Sequence, residues 1–245
     1  MRGAPRLVCL HGVCGHGLRF RRLVEERLAG QFHVRALDLR GHGRSGWEEP
    51  WTIEQHVEDV LETVEDPATW IGHSFGGRLI AEVTAREPAL VERVVLLDPA
   101  LWVPAEMAEG LAEGELAKTP LASIEEAIAS RAAACERAPR AFLEEEMREH
   151  LVELPDGRFF YRYTQDAVAA AYRQMAIPPP TWDALRVPTL LVVAEHAKLV
   201  SAAELELFRA ALGDLLDVAV VPGGHIVLWD AYEETAAAID AFLAP

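Results

Sequence analysis

A serine at position 74 stands in the pattern Gly72-His73-Ser74-Phe75-Gly76, after an apolar run and directly before a helical pattern. A G-x-S-x-G turn between a strand and a helix forces the serine into a strained backbone conformation, and glycines flank it because larger side chains would clash. The strain exposes the hydroxyl above the carboxyl edge of a sheet, where the helix N-terminus favours negative charge. The pattern therefore predicts that Ser74 is a nucleophile.

The base that such a serine needs is best supplied by His225. A serine hydroxyl is a poor nucleophile until a neighbouring imidazole accepts its proton. His225 follows the last predicted strand on a turn that contains Gly223 and Gly224, and these glycines leave the backbone free to bring the ring over Ser74. We expect the other histidines within motifs to hold turns together by hydrogen bonds: His11, His42 and His73.

Short apolar runs alternate with longer amphipathic segments and would position these residues. The strand-like runs are Arg6–Leu10, His33–Leu39, Ala68–Gly72, Val91–Leu97, Thr189–Ala194 and Val218–Val221. The helical patterns between or after them include Leu18–Ala29, Ile53–Val64, Gly77–Arg86, Ala202–Leu212 and Tyr232–Phe242. Continuous apolar strands that alternate with helices indicate an α/β protein, with a mostly parallel sheet of about six strands and helices on both faces.

The alternation stops between Leu101 and Pro180, where the chain is rich in Ala and Glu and no strand is predicted. Several short helices fit this segment better, and its scattered aromatic residues need burial: Phe142, Tyr161, Tyr163 and Tyr172. We expect a helical cap or lid at residues 101–180, inserted after the fourth strand of a core formed by residues 1–100 and 181–245. The alternative is a further pair of core helices without a lid role.

Composition excludes several classes of partner. The 245 residues are 51% hydrophobic and 25% charged, with a formal net charge of −16. Such a charge repels nucleic acids and acidic membrane surfaces. The three cysteines have no metal-ligand or disulfide spacing, and no signal peptide or membrane-spanning stretch is predicted. We expect a cytoplasmic protein that binds a small molecule.

Four motifs occur in an order that resembles the α/β-hydrolase-fold enzymes over nearly the whole chain. They are Arg6–Gly12, which ends in His11-Gly12, then Asp38–Ser45, Gly72–Gly76 and Gly223–His225. The resemblance implies a catalytic serine at Ser74, so the haloalkane dehalogenase and epoxide hydrolase branches, which use an aspartate there, are disfavoured. It also implies that the main-chain N–H groups of Val13 and Phe75 form the oxyanion hole.

The acid of the triad is where the sequence departs from this family. Most members place an aspartate in the segment that here reads Glu195-His196-Ala197, and Ala197 stands at the expected position. Asp98, at the end of the strand after the nucleophile strand, resembles the acid of some branches and is the preferred candidate. Glu195 is the second candidate, and the absence of any acid is the third possibility.

Other departures bear on the reaction. The chain reaches His11 without the two strands that usually precede it in the family. Hydroxynitrile lyases, which also begin abruptly, place a hydroxyl residue where Gly12 stands and a lysine where Ile226 stands. C–C bond hydrolases usually have Asn at the position of His73. These differences favour carboxylic ester hydrolysis through Ser74 and His225, without a metal or organic cofactor. The acidic surface and the apolar lid suggest neutral, partly apolar esters. The alternatives are a C–C bond hydrolase or lactonase of the same fold, or a ligand-binding receptor without catalysis.

Overall fold

The computed structural model describes residues 3–181 and 184–244. Its strands are β1 (Arg6–Leu10), β2 (His33–Leu37), β3 (Ala68–His73), β4 (Val91–Leu97), β5 (Leu151–Glu153), β6 (Phe159–Tyr161), β7 (Thr189–Ala194) and β8 (Leu216–Val221). Six of them form one sheet in the order β2-β1-β3-β4-β7-β8, and every neighbouring pair in it is parallel. The six strands of this sheet are those predicted from the apolar runs.

The helices connect and cover these strands. They are α1 (Arg21–Leu23), α2 (Ile53–Thr63), α3 (Phe75–Arg86), α4 (Ala105–Leu116), α5 (Ile124–Ala134), α6 (Arg140–His150), α7 (Gln165–Gln174), α8 (Ala202–Leu212), α9 (Val227–Asp230) and α10 (Tyr232–Leu243). No helix in the described ranges is both long and apolar enough to cross a bilayer.

Burial explains why the strands are continuous apolar runs. All six residues of β3 are buried, and β1, β4 and β7 are buried over most of their length. Parallel sheets are covered on both faces by their crossover helices, so both sides of each inner strand must be apolar. The edge strands β2 and β8 are more exposed. The predicted fold class, an α/β protein with a mainly parallel sheet, is confirmed.

Strand order determines where a site can form. From β1 the chain crosses to β2 on one side, and β3 then pairs with β1 on the other side. The crevice at the carboxyl ends of strands beside such a switch is where α/β sheets bind ligands. Gly12 follows β1, Ser74 follows β3 and Asp98 follows β4, so the candidate residues meet at this edge.

The segment between β4 and β7 is mostly helical, as predicted, but it also contains the antiparallel pair β5–β6. The expectation of no strand there was wrong. Strands of three residues are too short to produce an apolar periodicity, and only the turn between them leaves a signal. That turn contains Pro155-Asp156-Gly157, with Gly157 at φ 81°, and the Leu154 N–H donates to the Arg158 carbonyl at 2.7 Å.

Arg78 joins both ends of the inserted segment to helix α3. Its guanidinium is buried and donates to the carbonyl oxygens of Leu101 at 2.7 Å, Ile177 at 2.8 Å and Pro178 at 3.2 Å. Glu82 pairs with the same side chain at 2.7 Å. Because α3 begins beside Ser74, this contact sets the inserted segment relative to the carboxyl edge of the sheet.

The inserted segment lies between β4 and β7, and its division from the core as a cap of residues 101–180 stays a prediction. Five residues of the predicted core segments lie outside the described residues: Met1, Arg2, Trp182, Asp183 and Pro245.

Candidate active site

Ser74 occupies the sharp turn between β3 and α3. Its backbone has φ 54° and ψ −118°, a conformation that strains a residue with a side chain. The neighbouring glycines are required by space. A Cβ on Gly76 would lie 2.1 Å from the Leu10 carbonyl oxygen, and one on Gly72 would lie 2.6 Å from Ile80 Cδ1. Glycine at both positions is therefore a steric requirement of this turn.

The turn places Ser74 against a cavity of about 320 Å³ at the carboxyl edge of the sheet. Gly12, His73 and His225 line the same cavity. A Cβ on Gly12 would lie 2.9 Å from both His73 Nδ1 and Ser74 Cβ. Only glycine therefore allows the loop after β1 to lie this close to the serine.

His225 makes its ring hydrogen bond with Asp98. The His225 Nδ1–H donates to Asp98 Oδ2 at 2.7 Å, and the Ala194 N–H donates to Asp98 Oδ1 at 3.0 Å. Asp98 has no solvent exposure and a positive φ of 40°. Because both carboxylate oxygens accept hydrogen bonds, the carboxylate is held in one orientation and His225 Nε2 is left as the proton acceptor.

The other candidates for the acid are not near His225 in this way. The Glu195 side chain is 63% exposed and lies 3.9 Å from His196 Nε2. Ala197, at the position where the family usually has its acid, forms part of the cavity wall. Of the three possibilities left open by the sequence, the geometry thus favours Asp98.

The two N–H groups predicted for the oxyanion hole, those of Val13 and Phe75, have no protein partner among the described residues, and Val13 lines the cavity. Phe75 is the first residue of α3, where N–H groups lack partners within the helix. The Val13 carbonyl accepts a short hydrogen bond from His42 Nε2, which holds this loop in place.

The other motif histidines form hydrogen bonds with main-chain atoms. His11 Nδ1 donates to the Gly12 carbonyl at 2.8 Å, and His11 Nε2 accepts from the Leu39 N–H at 2.9 Å. His73 Nε2 donates to the His225 carbonyl at 2.9 Å. Burial lowers the pKa of both His11 and His73 well below the ordinary value, so both rings stay neutral.

Sequence reasoning missed two charged residues of the inserted segment, Glu115 and Arg131, of which the first contacts the cavity residue Cys14 and the second lines the cavity. Cys14 Sγ lies 3.6 Å from the Tyr172 hydroxyl, and the Tyr163 hydroxyl donates to the buried Glu115 carboxylate at 2.9 Å. Glu115 and Arg131 lie on Ala- and Glu-rich helices, where charged residues usually face solvent, so no pattern separated them from surface charges.

A second buried cluster joins the same segment to the loop after β1. His16 Nε2 lies 3.1 Å from Glu146 Oε2, and His150 Nδ1 lies 3.5 Å from Glu146 Oε1. Although burial by itself raises the pKa of Glu146, Arg19 and the two histidines hold it well below its usual range. The three ligand atoms lie within 4.8 Å of one another, but Arg19 Nη2 donates to Glu146 at 2.8 Å. That guanidinium supplies the countercharge that a metal ion would bring, so the cluster fits an ion pair better than a metal site.

Comparison with known proteins identifies the family. The sequence model of the family described as alpha/beta hydrolase fold matches residues 5–232 of this chain. Lipase LipV of Mycobacterium tuberculosis (strain ATCC 25618 / H37Rv) is 32% identical over 253 residues, covering 99% of this chain and 95% of that protein. The crystal structure of E-2-(acetamidomethylene)succinate hydrolase has a TM-score of 0.87 and 26% identity, covering 99% and 92% of the two chains. A Mycobacterium tuberculosis esterase has a TM-score of 0.78 at 22% identity, covering 99% and 86%.

These relatives share the fold, and the family match covers all four motifs singled out in the sequence. The chain is a hydrolase, and it belongs to the alpha/beta hydrolase fold family.

Proposed function

We propose that this hydrolase cleaves carboxylic esters through an acyl-enzyme on Ser74, with His225 as general base and Asp98 as the acid that orients it. The observation that carries the proposal is the pairing of His225 Nδ1 with the buried Asp98 carboxylate at 2.7 Å, beside a cavity that also contains Ser74. A receptor without catalysis has no use for this buried pair next to a strained serine.

The reaction would proceed in two displacement steps. Ser74 Oγ attacks the ester carbonyl while its proton passes to His225 Nε2, and the Val13 and Phe75 N–H groups stabilise the oxyanion. Collapse of the tetrahedral intermediate breaks the C–O bond, and the alcohol leaves with the proton from His225. Water then attacks the acyl-enzyme, with His225 again accepting and returning a proton, so that the acid is released and Ser74 is regenerated.

The cavity wall supports a partly apolar substrate. Its apolar lining comes from the core and from the inserted segment: Val13, Ala100, Val103, Met107, Leu111, Met175, Leu199 and Ile226. The relative named a lipase agrees with an apolar acyl or alcohol group. Because residues of the 101–180 segment form part of this wall, we propose that the segment acts as a lid. The free thiols Cys9, Cys14 and Cys135 are consistent with a cytoplasmic location.

Covalent labelling tests the proposal. A fluorophosphonate probe should label the protein once, and Ser74→Ala should abolish labelling and lower p-nitrophenyl ester turnover by at least about 10³-fold. The matched control is Ser130→Ala, an exposed serine on α5, which should retain both properties. Labelling that survives Ser74→Ala, or failure of the wild type to turn over any ester, would refute the proposal and favour the receptor alternative.

A further inference from the structure

We propose that Arg131 binds a carboxylate of the substrate, so that the preferred esters carry a second, ionised carboxyl group. This inference rests on the proposed ester hydrolysis at Ser74, and it names the class of ester.

Arg131 lies on α5 and lines the same cavity as Ser74 and His225. Its Nε is buried and donates to no acceptor in the described ranges. The guanidinium Cζ lies 5.2 Å from the centre of the Tyr161 ring, a stacking contact that holds its plane without using its N–H groups. The side chain is thus positioned and still has donors to offer.

Two buried carboxylates of the inserted segment, those of Glu115 and Glu146, already have cations of their own. Arg19 donates to Glu146 at 2.8 Å, and Lys118 Nζ forms a close ion pair with Glu115 Oε2. Arg131 forms no ion pair with any described residue. A cation that is partly removed from water without an anion is costly, and a ligand carboxylate would offset that cost. The three cations Arg19, Lys118 and Arg131 therefore have only two carboxylates, and Arg131 is the cation without one.

Neighbouring groups fit a carboxylate. The Tyr172 hydroxyl and the Cys14 thiol, 3.6 Å apart, line the cavity together with Arg131. Burial raises the pKa of Tyr172, so the hydroxyl keeps its proton and can donate. A guanidinium binds a carboxylate through two parallel N–H···O bonds. A phosphate dianion would leave one negative charge unpaired among apolar walls, so a singly charged group fits better.

This local charge differs from that of the whole chain. The expectation of a neutral substrate rested on an apolar lid and on the acidic surface, and the formal net charge of −16 describes that surface as a whole. A bound substrate meets the charges that line the cavity, and there the unpaired charge is positive.

Two isosteric esters test the inference. Mono-p-nitrophenyl adipate and p-nitrophenyl 6-methylheptanoate differ only in a terminal carboxylate against an isopropyl group, and both release p-nitrophenolate. We expect the wild type to have a kcat/KM at least about 10-fold higher for the adipate ester, since a charge-assisted hydrogen bond is worth roughly that factor or more. Arg131→Met should lower the ratio of the two kcat/KM values by about 10- to 100-fold, mainly through KM for the adipate ester.

Control variants separate this effect from unfolding. Arg131→Lys keeps the charge and should retain part of the preference, whereas Arg148→Met removes an exposed arginine of α6 and should leave the ratio unchanged. The inference is overturned if the wild type hydrolyses both esters without preferring the adipate ester. It is also overturned if Arg131→Met, or Arg131→Lys should the former not fold, lowers both kcat/KM values equally.

Binding without turnover distinguishes failure of this inference from failure of the proposed function. Calorimetry with mono-p-nitrophenyl adipate should give a Kd about 10- to 100-fold weaker for Ser74→Ala/Arg131→Met than for Ser74→Ala. If the wild type hydrolyses neither ester but this difference is found, esterase function fails and the carboxylate site stands. If hydrolysis depends on Ser74 but Kd does not depend on Arg131, the esterase stands and the carboxylate site fails.

Discussion

Replacing Asp98 with Asn tests how His225 is held. In the native site the Ala194 N–H donates to Asp98 Oδ1 at 3.0 Å, and Oδ2 accepts from His225 Nδ1 at 2.7 Å. An asparagine in the same place keeps its carbonyl oxygen toward Ala194 and presents its NH₂ group to His225. His225 Nδ1 must then accept, so the proton moves to Nε2. A protonated Nε2 cannot take the serine proton.

The expected loss follows from this change of tautomer. We expect Asp98→Asn to lower kcat by about 10⁴-fold, which is about 5.5 kcal/mol of transition-state stabilisation, with KM nearly unchanged. The fold should survive, because the substitution is isosteric and the bond to Ala194 is retained. Removing the negative charge also withdraws stabilisation from the imidazolium that forms during attack.

Steady-state kinetics on a p-nitrophenyl ester, with thermal unfolding as a check on folding, measures this effect. The matched control is Glu195→Gln, which should lose less than about threefold because the side chain is 63% exposed. A loss below about 10-fold for Asp98→Asn would refute the reasoning and favour a Ser–His dyad. A large loss for Glu195→Gln would show that the acid lies at the other strand end. Ala197→Asp, which restores the usual family position, should bring little gain because His225 already has its partner.

Three further predictions concern the inserted segment and the buried histidines. Arg78→Met leaves the carbonyl oxygens of Leu101, Ile177 and Pro178 without their donor, and should lower the free energy of unfolding in urea by about 3 kcal/mol; a loss below about 1 kcal/mol would contradict it. Tyr172→Ala should alter acyl chain-length preference more than kcat/KM for p-nitrophenyl acetate, whereas an equal loss on all esters would indicate general destabilisation. Burial lowers the pKa of His56 to about 4 and of His150 to about 3, so the folded state keeps both rings neutral. Their stability contribution is complete above their unfolded pKa of about 6.5 and falls by up to about 1.4 kcal/mol per pH unit for each ring as the pH drops toward those values. Urea unfolding between pH 7.5 and 5 checks this, His56→Phe should make the dependence shallower, and an equal stability at both ends would refute it.

Local sterics explain why much of the site could be predicted from the sequence. The turn at Ser74 needs glycine at positions 72 and 76 because a Cβ at either would overlap neighbouring atoms, and that requirement is visible in five consecutive residues. The apolar strands were predictable for a similar reason. A strand buried on both faces is apolar over most of its length, so each inner strand of the six-stranded sheet can be recognised from its own residues.

Contacts between distant parts of the chain could not be predicted from the sequence and are determined by the tertiary structure. The sequence left three possibilities for the acid of the triad, namely Asp98, Glu195 or no acid, because a carboxylate at either strand end satisfies the local pattern. Only the packing of β4 beside β7 turns Asp98 toward His225. The sequence does not distinguish Arg131 from a solvent-exposed arginine on a helix, and only the position of α5 in the fold brings it to the cavity. Charge pairing depends on distances across the fold, so which carboxylates already have a cation, and which arginine does not, is decided by tertiary structure alone.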